Sequence, residues 1–333
     1  MAHIIFSEGS NLQNSIYGKS QEPIKYFLEK RAEAFEAESI AKQIFSIQPS
    51  THWAEKFSTM TAMDGFVPVG ENGAYPVDGM QAGYEKVLEN ITWKNSFAIS
   101  REMIDDSQVM DLKQKPNSFI TSYYRTREQY AAFLIAKAMG GTSATFKGFK
   151  CDLTGADGKS VFATDHPAKV KGAAQCNKFS NQFSAEILGR VETAMQNFKG
   201  DNGEILDVAP DTIIIPNDYA TKAAVFAAIG ADKSPDTANN AYNYIFGRWN
   251  VIVWPYLNQY IGVSGAPWIL MDSRYNETYG GNVWLDRVKL EVKSEIAEND
   301  ANNWKGYARF VAGFNDWRSM AVAGITGATD ITA

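Results

Sequence analysis

The chain has 333 residues, 45% hydrophobic and 21% charged, enough for one large or two ordinary cores and unlike a disordered polymer. Lys and Arg number 32 against 38 Asp and Glu, a net charge of −6 with no basic stripe, which argues against a dedicated nucleic-acid binder. No apolar run reaches the roughly 18 residues of a membrane-spanning helix, and the opening MAHIIFSEGSN lacks the pattern of a secretory signal. Cys151 and Cys176 are expected to be reduced thiols of a protein made in a cytoplasm.

Residues 1–22 are polar and turn-rich and read as an arm rather than a packed element. From Pro23 to Ser46 a helical pattern puts Ile24, Phe27, Leu28, Phe35, Ile44 and Phe45 broadly on one side. That side serves either docking on the core or attachment to a neighbour.

Residues 52–100 form a long excursion. DGFVPVGENGAYPVDG, Asp64 to Gly79, holds four glycines, two prolines and a Glu-Asn-Gly turn signal, so it sustains neither a helix nor a central strand. Beyond it Ile91, Trp93, Phe97 and Ile99 occur at a period of two, the mark of a strand with one buried face. The reading is a two-stranded hairpin with the Gly-Pro stretch at its tip. An isolated hairpin is marginal in water, so it needs a neighbour if its own chain does not cover it.

Pro116 to Gly140 is expected to be one long helix, about 35 Å at 1.5 Å per residue. Asn117 or Ser118 would cap it, and Phe119, Tyr123, Tyr130, Leu134 and Ala138 would form its apolar stripe. Arg125, Arg127, Glu128 and Lys137 would supply charge around it, and Gly140-Gly141 would stop it through a left-handed cap. Residues 142–180 are loop-rich. Within them Asp157-Gly158 is a hairpin turn, and the weak likeness of 153–167 to a calcium loop fails for want of a closing acid.

From Ser184 the pattern alternates. Helices 184–199 and 218–229 flank a short apolar run, Thr212 to Ile215, closed by Pro216; further strands follow at 251–254 and 268–271. The stretch 283–296 alternates well, 304–317 is a last strand or strand pair, and 324–333 is expected to fray.

The catalytic inventory is poor. His3, His52 and His166 lie far apart without metal-ligand spacing, and His166, beside Asp165, is expected to be structural. Phosphate-cradling motifs and a G-x-S-x-G elbow are absent, and no cofactor or metal site is expected. The 8 Trp, 15 Tyr and 19 Phe are not interleaved with basic residues, and suit large buried and inter-subunit surfaces.

Four stretches carry a family resemblance: WKNSFAISREMIDDS at 93–107, LTGADGKSVFATDHP at 153–167, PDTIIIPNDYATKA at 210–223 and WKGYARFVAGFNDWR at 304–318. In this order over residues 50–320 they resemble the major capsid proteins of tailed phages, of the Hong Kong 97 fold, and within them the Mu-type head-subunit branch. The resemblance implies an α+β, non-enzymatic shell protein. It assigns an N-terminal arm and helix to 1–54 and an extended β-hairpin loop to 55–100. A peripheral domain with the spine helix falls at 101–145 plus 286–326, an axial α/β domain at 146–285, and a tail at 327–333.

On this reading Phe66, Val67, Pro68, Tyr75, Pro76 and Val77 of the loop meet a neighbouring subunit. The chain builds hexamers and pentamers of an icosahedral head around double-stranded DNA, in a virion assembled in the host bacterial cytoplasm. Mild acidity suits such a container, because phosphate contacts strengthen with every charge neutralised. Some relatives carry a cleaved scaffolding segment before the arm; about 50 residues leave little room for one, so a separate scaffold and a portal are the expected partners, with or without a decoration protein. The alternatives are a nanocompartment shell of the same fold that encloses an enzyme, and an α/β enzyme of unknown substrate.

Overall fold

A computed structural model describes residues 4–8, 18–60, 66, 68–71, 73–75, 77, 82–106, 109–230, 243 and 245–331. The chain opens with strand β1 (Ile5–Glu8), helix α1 (Gly18–Glu38), one turn of helix α2 (Ala41–Ile44) and strand β2 (Ser46–Pro49). The single helix expected over 23–46 is therefore broken near residue 40, and its end becomes a strand. Ile24, Leu28 and Ala32 are buried, and Phe35 stacks on Tyr124 with ring centroids 5.4 Å apart. Phe27 is instead exposed. The expected arm is partly a packed element too: Ile4 is buried, and β1 pairs in parallel with a long C-terminal strand.

Strands β3 (Ala54–Met60) and β4 (Ala82–Glu89) form an antiparallel hairpin, followed by β5 (Ile91–Ile99) and the single helical turn α3 (Arg101–Asp105). Helix α4 (Val109–Ala138) then runs 30 residues, with Pro116 inside it rather than at its start. Lys115 donates to the Ala98 carbonyl at 3.0 Å, and Phe119 packs on Phe97 at 5.1 Å. These contacts on both sides of the proline hold the helix together across the missing backbone bond. Phe119, Tyr130, Leu134 and Ala138 are buried, but so are Ala131, Ala132, Phe133, Ile135 and Ala136. The last third of α4 is thus enclosed all round, as befits a helix that threads a core rather than covering one. It ends without the left-handed cap: the N–H groups of Gly140 and Gly141 both donate to the Lys137 carbonyl, and neither glycine has a positive φ.

Strands β6 (Ser143–Phe146) and β7 (Phe149–Asp152) make a small hairpin through Lys147 and Gly148, both at positive φ. The alternating segment follows: helix α5 (Ala185–Gln196), strand β8 (Thr212–Pro216), helix α6 (Tyr219–Ile229), strand β9 (Asn250–Trp254), helix α7 (Pro255–Tyr260), strand β10 (Gly265–Met271) and helix α8 (Ser273–Tyr279). Ser184, Asp218 and Asp272 each cap the helix that follows by accepting a backbone N–H, so short polar residues set these boundaries. β8 is buried at every residue, as a strand covered on both faces must be.

The long strands β11 (Asn282–Ile296) and β12 (Asn302–Phe314) pair antiparallel, and β13 (Met320–Ile325) ends the chain's regular structure. One sheet runs β1-β11-β12-β5 with β2 also on β11; the other runs β13-β10-β8-β9. Of the 304–317 stretch, 304–314 is therefore one strand of the first sheet and not a strand pair, and Trp317 opens a short 3-10 turn (Trp317–Ser319). Residues 320–325, expected with the 286–326 peripheral segment, pair with β10 in the other sheet. The tail does not fray up to residue 331: the Ser180 N–H donates to Thr329 at 2.9 Å, and Asn181 binds both Asp330 and the Ile331 N–H at 2.9 Å.

His166 is fully buried, with Nδ1 2.6 Å from Asp157, Nε2 3.1 Å from Asn177 Oδ1, and its ring stacked on Trp317 at 4.1 Å. The histidine expected to be structural ties the Asp157-Gly158 turn to the C-terminal segment.

Replacing Ala131, fully buried in the last third of α4, with proline removes one backbone bond and clashes one turn back, at about 3 kcal/mol or more. The expected outcome is no soluble folded subunit by circular dichroism; normal particles from A131P would mean that the helix does not need to be continuous there.

Candidate inter-subunit interface

The hairpin β3-β4 has a fixed root and a bare tip. At the root, Leu88 packs with Val283, Leu285 and Val311 of the β11-β12 pair in a small separate apolar cluster, with Phe57 and Ile91 against it. Gly313 makes room for this: a Cβ there would lie 2.6 Å from Leu88 Cδ2. On β4 the Lys86 ammonium is buried and donates to Asp152 Oδ2 at 2.5 Å, Thr154 Oγ1 at 2.7 Å and the Thr154 carbonyl at 2.8 Å. Three acceptors offset the cost of enclosing that charge. Lys169 adds a further tie, donating to the Gly83 carbonyl with its ammonium 5.2 Å over the Tyr84 ring.

A polar knot closes the root. Glu55 accepts from Ser50 Oγ at 2.9 Å and from the backbone N–H groups of Thr51 and His52 at 3.1 and 3.2 Å. Asn90, at the other end of the hairpin, donates to Ser50 Oγ and the His52 carbonyl, each at 2.9 Å. The Ser50 hydroxyl first, and then the two backbone donors, hold the Glu55 carboxyl down to about 2.

Toward the tip, cover disappears. Phe66 and Pro68 are exposed, Tyr75 is 94% exposed and Val77 97%. Val67 and Pro76 lie outside the described residues. Trp53 and Val87 add exposed apolar surface nearer the root. Single exposed apolar residues are ordinary on any protein; several on one unsupported ribbon are not. The strand expected as the second arm, 91–99, is instead β5 of the first sheet, with Trp304 opposite Phe97 and Phe310 opposite Ile91.

The sheet that carries the root is tied to α4 by a charge expected on the helix surface. Arg127 is buried, its guanidinium donating to both Asp286 oxygens at 3.0 and 3.1 Å and to the Tyr123 hydroxyl at 3.1 Å. It lies 4.7 Å from the Trp284 ring centre and 5.0 Å from that of Phe310, while Trp284 Nε1 donates to the same Asp286 at 2.9 Å. Burial works against this charge, but Tyr123 and the Asp286 carboxylate outweigh it and raise the arginine's affinity for its proton. The only sequence hint was an arginine within one turn of Tyr123 and Tyr124.

The carboxyl of Glu55 should titrate near pH 2 rather than at its ordinary 4.5. Because the folded value is depressed, the knot's contribution is complete above about pH 4.5 and is lost as pH falls towards 2. Carbon-detected NMR titration of the Glu55 side chain checks this; a midpoint near 4.5 would mean that the knot does not hold in solution.

The phage capsid protein family model matches residues 85–323. No curated protein matches the chain. Among solved structures, the capsid of Ralstonia phage GP4 is 11% identical with a TM-score of 0.51, over 86% of this chain and 90% of that one. The decorated capsid of bacteriophage JBD30 is 17% identical with a TM-score of 0.45, over 66% of this chain and 91% of that one. A virus-like particle from Pyrococcus furiosus is 11% identical with a TM-score of 0.45, over 92% and 97%. The fold is thus the Hong Kong 97-type capsid fold. The chain belongs to the phage capsid protein family, and its role is that of a shell-forming major capsid subunit.

Proposed function

We propose that this subunit builds a closed icosahedral head by repeating heterologous contacts around rings of five and six, and that the β3-β4 hairpin reaches across onto a neighbour in each ring. The observation that carries this reading is the hairpin itself: a root fixed by Leu88, Lys86 and Glu55, and a tip whose Phe66, Tyr75 and Val77 touch nothing that covers them. The shell encloses double-stranded DNA without reading its sequence, and a net charge of −6 keeps the container from gripping its cargo. Assembly takes place in the host bacterial cytoplasm with a separate scaffold and a portal, with or without a decoration protein. In this reading α4 with β11 and β12 forms the peripheral part of the subunit, and the β13-β10-β8-β9 sheet with its helices the axial part. A nanocompartment of the same fold is less favoured, because the family match is to phage capsid proteins. No catalytic step is assigned to the chain.

Shortening Asp64–Gly79 to a two-residue turn should abolish or misdirect particles while leaving the subunit folded, since loop length alone changes closure entropy little. Electron microscopy and circular dichroism read the two effects separately. Loss of the folded signal instead of particles would place these residues in the subunit core.

The shell should be held without covalent welds. Residues 57–85 contain no lysine; Lys56 pairs with Glu85 at 2.8 Å, and Lys86 is buried among its three acceptors. The reaching part of the hairpin therefore has no amine to offer as a nucleophile. Boiled in detergent, particles should release a single band near 36.9 kDa. A ladder of dimers to hexamers that survives reductant would contradict this.

A further inference from the structure

The pairing of β11 with β12 is interrupted twice, first between Asp286 and Val288. Asp286 stands opposite Phe310 and Val288 opposite Arg309, so Arg287 is the extra residue of a β-bulge. The two faces of the sheet are told apart by what touches them. Asp286 and Phe310 turn toward α4, where both meet Arg127. Val311 turns the other way, into the apolar cluster of the hairpin root, and Arg309 and Tyr307 follow it at the strand's period of two. Arg287, next after the inward Asp286, falls on that same outer face. The bulge thus sets two guanidiniums side by side.

These two differ from the arginines around them. Arg101, Arg127, Arg190, Arg248 and Arg318 each face a carboxylate. Among the described residues Arg287 and Arg309 face none. Both are half-buried, and Arg287 Nη1 and Arg309 Nε are shut off from solvent without an acceptor. No other arginine among the described residues has a side-chain nitrogen in that state. Enclosing a charged N–H without a partner is costly, so the arrangement suits a partner that comes from outside. The rest of this face does not supply one. Lys94, 5.9 Å over the Tyr307 ring, adds positive charge to it, and Glu291, opposite Tyr307, is exposed and pairs with neither arginine.

We propose that Arg287 and Arg309 form an oxyanion site, and that in the shell a carboxylate of a neighbouring copy fills it. The planar fork of a guanidinium matches the two oxygens of a carboxylate, and two forks on one bulge hold a single group between them. The occupant follows from the chain. The neighbours of a shell subunit are copies of itself, and each copy carries 38 Asp and Glu against 32 Lys and Arg, a surplus of acids facing two unanswered arginines. The site also borders the hairpin root, since Val311, two residues from Arg309, packs with Leu88. Such a pair sets register and excludes wrong contacts more than it adds affinity. It rests on the chain forming a shell, and not on where the hairpin tip docks.

Two measurements test the site and its occupant separately. In dissociated full-length subunits, inorganic phosphate is the probe, titrated at constant ionic strength. The Nε–H resonances of Arg287 and Arg309 should shift together and saturate, and Arg287→Gln should weaken the response of Arg309 at least about tenfold. Shifts that do not saturate, or that are independent at the two arginines, overturn the site.

The second measurement compares the wild type with Arg287→Gln plus Arg309→Gln, by thermal unfolding of the subunit and by the yield of particles assembled from purified protein without DNA. Unanswered charges do not stabilise the subunit, so its midpoint should hold or rise, while particle yield falls at least about tenfold. A lowered midpoint would mean that the arginines serve the fold of their own chain. Normal yield would mean that no neighbour's carboxylate fills the site, and a loss seen only when DNA is packaged would make the oxyanion a phosphate. Each of these results overturns the proposal. A subunit with the shortened hairpin that binds phosphate as the wild type does, yet forms no particles, separates a failure of assembly from a failure of the site.

Discussion

A two-stranded ribbon has no interior. Whatever apolar side chains it carries must be covered by something else or remain in water, and beyond its root the described residues of the β3-β4 hairpin, Phe66, Tyr75 and Val77 among them, are exposed. Phe66, Tyr75 and Val77 sit on a stretch too rich in glycine and proline to fold back as a helix or a central strand. In the proposed reading, this constraint leaves the subunit incomplete by itself. A shell protein needs that property, since its stable state must be the assembly and not the monomer.

Reaching across to a neighbour is useful only if the reach is aimed. The root supplies the aim in three layers: Leu88 in its apolar cluster, Lys86 among oxygen acceptors, and the Glu55-Ser50-Asn90 knot. The first and third are anchored to β11 and β12, through Val283, Leu285 and Val311 and through the Ser50 N–H on the Asp286 carbonyl, while Lys86 is anchored to Asp152 and Thr154. That strand pair is in turn fixed to α4 by Arg127, whose buried charge tolerates essentially one arrangement of Asp286, Trp284 and Phe310 around it. Stiffness at the helix-sheet joint is thereby passed to the base of the hairpin.

Much of this was legible in the sequence where local chemistry decides the outcome. Asp218 before α6, Pro216 at the end of β8 and the apolar run between Thr212 and Ile215 leave little choice, and the structure follows them. Where pairing is decided at a distance, the reading failed. Alternation at Ile91, Trp93, Phe97 and Ile99 signals one buried face but not which strand lies alongside, and β12 is some two hundred residues away in sequence. β4 escaped notice because its inward positions include Lys86, whose burial depends on Asp152 and Thr154. Arg127 escaped for the same reason, since an arginine on a helix reads as solvated until its distant partner is known. Pro116 reads as the start of α4 because nothing local reveals the contacts from Lys115 and Phe119 that carry the helix past it.

The central claim is that the hairpin tip is bare in the subunit and buried in the shell. Hydrogen exchange of the peptides covering residues 66–77, compared between dissociated subunits and intact particles, measures this directly. The account predicts fast exchange in the subunit and strong protection in the particle, with β8 and the end of α4 unchanged between the two. Equal, fast exchange at 66–77 in both states would contradict it, as would protection already present in the free subunit.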